Sequence, residues 1–151
     1  MEFYSPDKGH IYVDGAELQN FEVQEIRKAV VYVSQEDFLF TASVRENLKM
    51  GNEEISDEEM IEISRKMGVH QFVSKMERAY DSVLEERGKN LSKGQRQKLS
   101  LTRAILRHPK ILILDEATSN MDSISEREIL NYIKGIRDIT PVSYTHLTLP
   151  T

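Results

Sequence analysis

The chain has 151 residues, 39% hydrophobic and 30% charged, with a formal net charge of −5 at pH 7. That length suits one domain or part of one with a real core, and no apolar run reaches the roughly 18 residues of a membrane span. The absence of cysteine excludes disulfides and thiolate metal sites and fits a reducing compartment, while the acidic balance weighs against a nucleic-acid partner.

Met1 to Pro6 lacks the basic start and apolar stretch of a secretory signal. Phe3 to Gly9 is turn chemistry, and His10 to Gly15 alternates like a strand that ends in an Asp-Gly turn. Phe21 to Lys28 reads as a short helix and Ala29 to Val33 as a buried, β-branched strand. Gln35 follows at that strand's carboxyl end, where a neutral amide can coordinate Mg²⁺ and orient water, or simply bind water as a loop residue. Ser56 to Glu59 has the pattern of a capping box, and Met60, Ile61, Ile63 and Met67 give the helix after it an apolar side, with Gly68 to end it. Val69, Phe72, Val73 and Met76 recur at helical spacing and predict a second helix; these positions read as core, and the acidic run 52–59 as a solvated helix start. The four histidines lie far apart and form no ligand pair.

The chain is organised around Asn90 to Gln97, a short polar loop that runs into a helix through Leu106. Ser92 is a good N-cap, the donors at a helix start suit a phosphate, and Gly94 admits close approach of a ligand. A plain cap is the structural alternative. His108-Pro109-Lys110 stops the helix. Ile111 to Leu114 then reads as a strand buried on both faces of a parallel sheet. Asp115 and Glu116 follow at its carboxyl end, where open α/β sheets bind ligands, although a solvated acidic turn has the same pattern. Ser125 to Glu128 suggests another capping box, with Ile129, Ile133 and Ile136 on one side of a last helix.

Leu91-Ser92-Lys93-Gly94-Gln95 resembles the signature loop of ABC-type ATPases, usually Leu-Ser-Gly-Gly-Gln. Ile111 to Glu116 resembles their Walker B strand, Ser119 to Asp122 their D-loop and Gln35 their Q-loop glutamine. The resemblance runs from Phe3 to about Thr140. It implies an α/β fold: a P-loop NTPase-like core with a parallel sheet, and an α-helical subdomain over about 45–100 that carries the signature loop. Phe38 to Leu48 and Glu85 to Gly88 resemble exporter segments that face membrane domains, although a charged surface turn accounts equally for the second.

By this resemblance the intact parent is an ATPase subunit or domain of an exporter at the cytoplasmic face of the cell membrane. Its cofactors are ATP and Mg²⁺, and its partners are a second ABC ATPase domain and transmembrane domains. Asp115 and Gln35 would hold Mg²⁺, Glu116 would be the general base, and Asp122 would act across the dimer interface. Ser92, Lys93, Gly94 and Gln95 would hold the γ-phosphate of ATP bound to the partner. A soluble ABC ATPase of DNA repair or translation is the other reading, and the exporter-like segments weigh against it.

Two departures stand out. No G-x-x-x-x-G-K-[ST] phosphate loop occurs in the 151 residues, which suggests a chain truncated at its N-terminus and inactive by itself. Lys93 also replaces a signature glycine. At the other end, His146 falls close to the register of the family's switch histidine. Residues 141–151, however, read as translation of a transposon sequencing adapter, and proline and serine are poor choices for a buried strand. Native sequence is therefore expected to stop near Thr140.

Overall fold

The computed structural model describes residues 8–35 and 38–144. His146, the rest of 145–151 and the Phe3–Asp7 part of the first turn lie outside the described residues.

The chain opens with a hairpin of β1 (Tyr12–Val13) and β2 (Ala16–Glu17), Val13 standing opposite Ala16. A two-residue hairpin loop favours positive φ at both central positions, and Asp14 (48°) and Gly15 (79°) supply it. The helix α1 (Val23–Ala29) then leads straight into β3 (Val30–Val33). With β4 (Ile111–Asp115) and β5 (Thr140–Tyr144) this strand forms a three-stranded parallel sheet in the order β3-β4-β5.

Burial in the sheet follows the two-residue period of a strand. Val31, Val33, Leu112 and Leu114 are buried on one face, while Val30, Ile111 and Ile113 on the other are half-buried and Tyr32 is exposed. The expectation of a strand buried on both faces therefore holds for one face only. Helices supply the cover of a parallel sheet, and α5 (Lys93–Leu106) packs against β3. The stretch 140–144 pairs in register despite Pro141 and Ser143, with the Thr140 N–H donating to the Lys110 carbonyl at 2.8 Å. Its position at the sheet edge explains why proline fits, since the missing N–H can lie on the unpaired side.

Between β3 and β4 the chain builds helices. A complete capping box of Ser43 and Glu46 starts α2 (Val44–Lys49). Ser56 caps α3 (Asp57–Lys66), but only half of the expected box closes, because the Glu59 carboxylate pairs with His108 at 3.2 Å instead. Gly68, at φ 69°, ends α3 as expected: its N–H and that of Val69 bond back to Arg65 and Ser64 in a Schellman pattern. The helix predicted next is a single turn, α4 (His70–Val73). After β4, α6 (Ser123–Gly135) begins upstream of the expected Ser125 box, because Asp122 is its cap and accepts the Ser125 N–H at 2.9 Å. Leu99, Leu101 and Leu106 of α5, Val44 and Leu48 of α2, Met60 of α3 and Leu112 of β4 are closed off from solvent in one core, with Ile129 and Ile133 of α6 packed on it.

The acidic helix start is more than a solvated run. Asp57 receives Arg45 and Lys49, the latter at 2.8 Å, and Arg45 also reaches Asp81 at 2.9 Å. Lys49 and Arg45 hold the Asp57 carboxyl below its ordinary value of 3.8, and Arg45 does the same to Asp81. A carboxylate whose pKa is lowered by folding stabilises the fold above its unfolded pKa, and that contribution fades as pH falls through the folded value. Arg45→Met should therefore lower the melting temperature by a constant amount above about pH 5, and the deficit should begin to shrink near pH 3.8 and fade further as the pH falls below it. Thermal melts of both proteins across that range check this.

Candidate functional site

The loop at the start of α5 is held by its own capping box. Ser92 Oγ accepts the Gln95 N–H at 3.2 Å, and Gln95 Oε1 accepts the Ser92 N–H at 2.9 Å. The Arg96 N–H closes on the Ser92 carbonyl at 2.9 Å. The N–H groups of Lys93 and Gly94 have no intrahelical partner, so they form the donor end of a 14-residue helix dipole, with the exposed Lys93 side chain beside them. This arrangement suits an oxyanion. A cleft of about 820 Å³ opens on it, lined also by Lys75, Lys98 and the turn residues Asn120, Met121 and Asp122.

Gly94 has a reason inside the chain. A Cβ there would stand 2.9 Å from the Asn120 carbonyl oxygen, so glycine is required by close packing of the turn, whether or not a ligand also approaches. Asp122 also has local work as the cap of α6, and its bonds from the Ser125 backbone and side chain hold its carboxyl below the ordinary range.

Gln35 follows β3, Asp115 is the last residue of β4 and Glu116 follows it, all at the carboxyl end of the parallel sheet. The Tyr32 hydroxyl donates to Asp115 Oδ2 at 2.6 Å, and this bond, with desolvation and the Asp115 charge, pushes the Tyr32 phenol above 10.0. Glu116 stands at φ 50°, a left-handed backbone conformation uncommon outside glycine. Its N–H donates to the Tyr144 carbonyl at 3.1 Å, and its own carbonyl accepts the Ser119 N–H at 3.1 Å. Strain at such a position is a recognised mark of functional sites.

Among the described residues no three His, Asp, Glu or Cys side chains gather to form a metal cage. The donor set at the sheet end, one aspartate with a neighbouring glutamate and an amide, still fits Mg²⁺, which is usually held by one or two carboxylates plus substrate phosphates.

A second cleft, of about 900 Å³, is lined by Gln35, Arg87, Lys89, Lys93 and Arg96, with Asn120 again in its wall. The structure thus brings Ser92, Lys93, Gly94 and Gln95 together with Asp122, and Gln35 together with Lys93. Asp115 and Glu116 line neither cleft. Beside the sheet, Phe38 and Phe40 meet edge to face at 4.8 Å and are both exposed, at the rim of a groove that includes Met50, Arg103 and Arg107. Glu86–Gly88 forms one turn of 3-10 helix with Arg87 at φ 55°.

Two residues of the site escape the sequence reading. Tyr32 looks like one more strand former, and nothing local points to Asp115, 83 positions away. Gln97 is closed off from solvent, with its amide bonded to the 119–120 turn. A polar residue among the apolar positions of α5 was the available signal.

A protein-family model described as ABC transporter matches residues 1–119. The heterocyst differentiation ATP-binding protein HepA of Nostoc sp. is 45% identical over 134 residues, which is 89% of this chain and 22% of that protein. The mitochondrial iron-sulfur clusters transporter ABCB7 of Oryzias latipes is 38% identical over 147 residues, 97% of this chain and 20% of that protein. Among solved structures, a bacterial Atm1-family ABC exporter with ATP bound superposes with a TM-score of 0.89 at 29% identity, covering 96% of this chain and 26% of that one. The chain thus spans about a fifth to a quarter of the length of these proteins.

Proposed function

This chain belongs to the ABC transporter family, and we propose that it is part of the ATP-binding and ATP-hydrolysing unit of an exporter, coupled to membrane domains in a longer parent at the cytoplasmic face of the cell membrane. The observation that carries the proposal is the packing of the capped start of α5 against the 119–122 turn, with Asp115 and Glu116 leading into that turn from the end of β4. One body then carries a helix start suited to an anion and a carboxylate pair that lines neither cleft at that helix start, as suits a domain that serves two nucleotide sites.

In this reading a second ATPase domain, identical or homologous, faces the 92–95 loop. The Lys93 and Gly94 N–H groups, the Lys93 ammonium and Ser92 receive the γ-phosphate of ATP held by that partner. Gln95 keeps the loop in shape through its bond to the Ser92 N–H. Asp115 and Gln35 would hold Mg²⁺, which when bound neutralises phosphate charge. Glu116 takes a proton from the attacking water, and Asp122 reaches across the interface while it caps α6. Phosphoryl transfer depends almost wholly on positioning and electrostatics, so every one of these roles is geometric. Phe38 and Phe40, an exposed aromatic pair beside Gln35, suit contact with the membrane domains.

Because the 151 residues contain no G-x-x-x-x-G-K-[ST] loop, the chain assayed alone should hydrolyse no ATP above background, whereas the intact parent should hydrolyse it. Paired phosphate-release assays on the two proteins test the proposal. Hydrolysis by the 151-residue chain that disappears in Glu116→Gln would overturn the first half, and a purified parent without ATPase activity the second.

A further inference from the structure

We propose that Gln97 is a positioning residue that locks the Ser92–Gln95 loop to the Glu116–Asn120 turn, so that the anion-binding helix start and the carboxylate at the end of β4 move as one piece. The proposal rests on the ATPase reading above for its kinetic consequence, but not for its structural one.

Gln97 is completely buried in the second turn of α5. Its Oε1 accepts the Asn120 N–H at 3.0 Å, and its Nε2 donates to Ser119 Oγ at 3.3 Å. One amide thus holds both a main-chain donor and a side-chain acceptor of a turn more than 20 residues away. A buried amide left without partners costs more than an apolar group of the same shape, so its two bonds favour one arrangement of helix and turn. Closer to the helix start, the Asn120 carbonyl oxygen stands 2.9 Å from where a Cβ on Gly94 would be, so no side chain separates the loop from the turn. Beyond the turn, Lys98 Nζ donates to Ser125 Oγ at 3.0 Å, a third tie between α5 and the start of α6.

The turn itself is short and closed. The Ser119 N–H returns to the Glu116 carbonyl at 3.1 Å, and Asn120 Nδ2 donates to Ser119 Oγ at 3.3 Å. From Gly94 to Glu116 there is consequently an unbroken path of packed backbone and hydrogen bonds, with the Gln97 side chain bonding both turn residues. A displacement of the helix start, such as an anion drawing in the Lys93 and Gly94 N–H groups, is passed to the backbone that sets the Glu116 carboxylate. A glutamine that merely filled the core would lack this path.

Two variants separate the roles. Gln97→Leu keeps the volume and removes both bonds, whereas Gln97→Glu keeps an acceptor for the Asn120 N–H and lets the Ser119 hydroxyl turn to donate. In the 151-residue chain without nucleotide, hydrogen exchange followed by NMR should show the Asn120 amide losing protection at least tenfold in Gln97→Leu. The Gln95 and Arg96 amides should stay unchanged, and Gln97→Glu should restore Asn120. In the intact parent, Gln97→Leu should lower kcat for ATP at least tenfold with KM within about twofold, and Gln97→Glu should recover most of the loss.

Unchanged exchange at Asn120, or kcat within twofold of the parent, overturns the proposal. If Gln97→Leu does not fold, Ser119→Ala, which keeps the Asn120 N–H bond to Gln97 but removes the hydroxyl that accepts from Gln97 Nε2 and from Asn120 Nδ2, should give a smaller loss of kcat at unchanged KM, and no loss overturns it. A parent that hydrolyses no ATP defeats the ATPase reading and leaves the exchange result to decide the lock by itself.

Discussion

Replacing Glu116 by glutamine in the intact parent should lower ATP turnover by about 100- to 10,000-fold, the range that a positioned general base contributes, and leave nucleotide binding in place. The two side chains have nearly the same shape, so what is lost is the ability to accept a proton. Asp115 is the weaker candidate for that role, because the Tyr32 hydroxyl already occupies its Oδ2 at 2.6 Å. Glu116 also sits on strained backbone, at φ 50°. A left-handed residue with a Cβ costs roughly 1–2 kcal/mol, and glycine offsets part of any relief through its freer unfolded chain.

Glu116→Gly in the 151-residue chain should therefore raise the unfolding free energy by roughly 0.5–1 kcal/mol, read by urea titration. A carboxylate whose removal stops turnover and whose backbone relief stabilises the fold is one retained for chemistry at a cost in stability. Full turnover in Glu116→Gln would place the base elsewhere, and a loss of stability in Glu116→Gly would mean that its side-chain contacts outweigh the strain.

The parts of the site legible in the sequence are those set by a few neighbouring residues. Ser92 with Gln95, Asp14 with Gly15 and Gly68 after Met67 each form the structure that their local chemistry prescribes. Local rules failed where two local solutions competed. Asp122 and Ser125 are both good caps, and the upstream one won because it lets α6 start directly after the turn packed on Gly94. Glu59 had a capping role on offer and an imidazole within reach, and it took His108.

The long-range contacts were not legible. Tyr32 to Asp115 and Gln97 to Asn120 join residues 83 and 23 positions apart. A strand tyrosine and a helix glutamine carry no mark of such partners until the sheet order brings them together. The resemblance to family motifs pointed to 92–95, 115–116 and 119–122, and the bonds from Gln97 to Ser119 and Asn120 came from the fold.

The largest effect on stability should come from β4, the middle strand of the sheet. Leu112 is completely buried between the strand and the helices on the covered face, and truncating a leucine in such a site costs about 2–5 kcal/mol through lost transfer energy and the cavity left behind. Leu112→Ala should fall in the upper half of that range, a large share of the roughly 5–15 kcal/mol that holds a typical domain together. The adjacent Ile113 is a side chain of the same size on the same strand, but it points to the half-open face and is only partly buried. Partial burial forfeits less transfer energy and leaves no closed cavity, so Ile113→Ala should cost less than half as much as Leu112→Ala. Urea unfolding of both variants of the 151-residue chain measures the difference. Equal losses would mean that something covers the second face in solution, a second copy of the chain being the first suspect, and the concentration dependence of the midpoint would then reveal it.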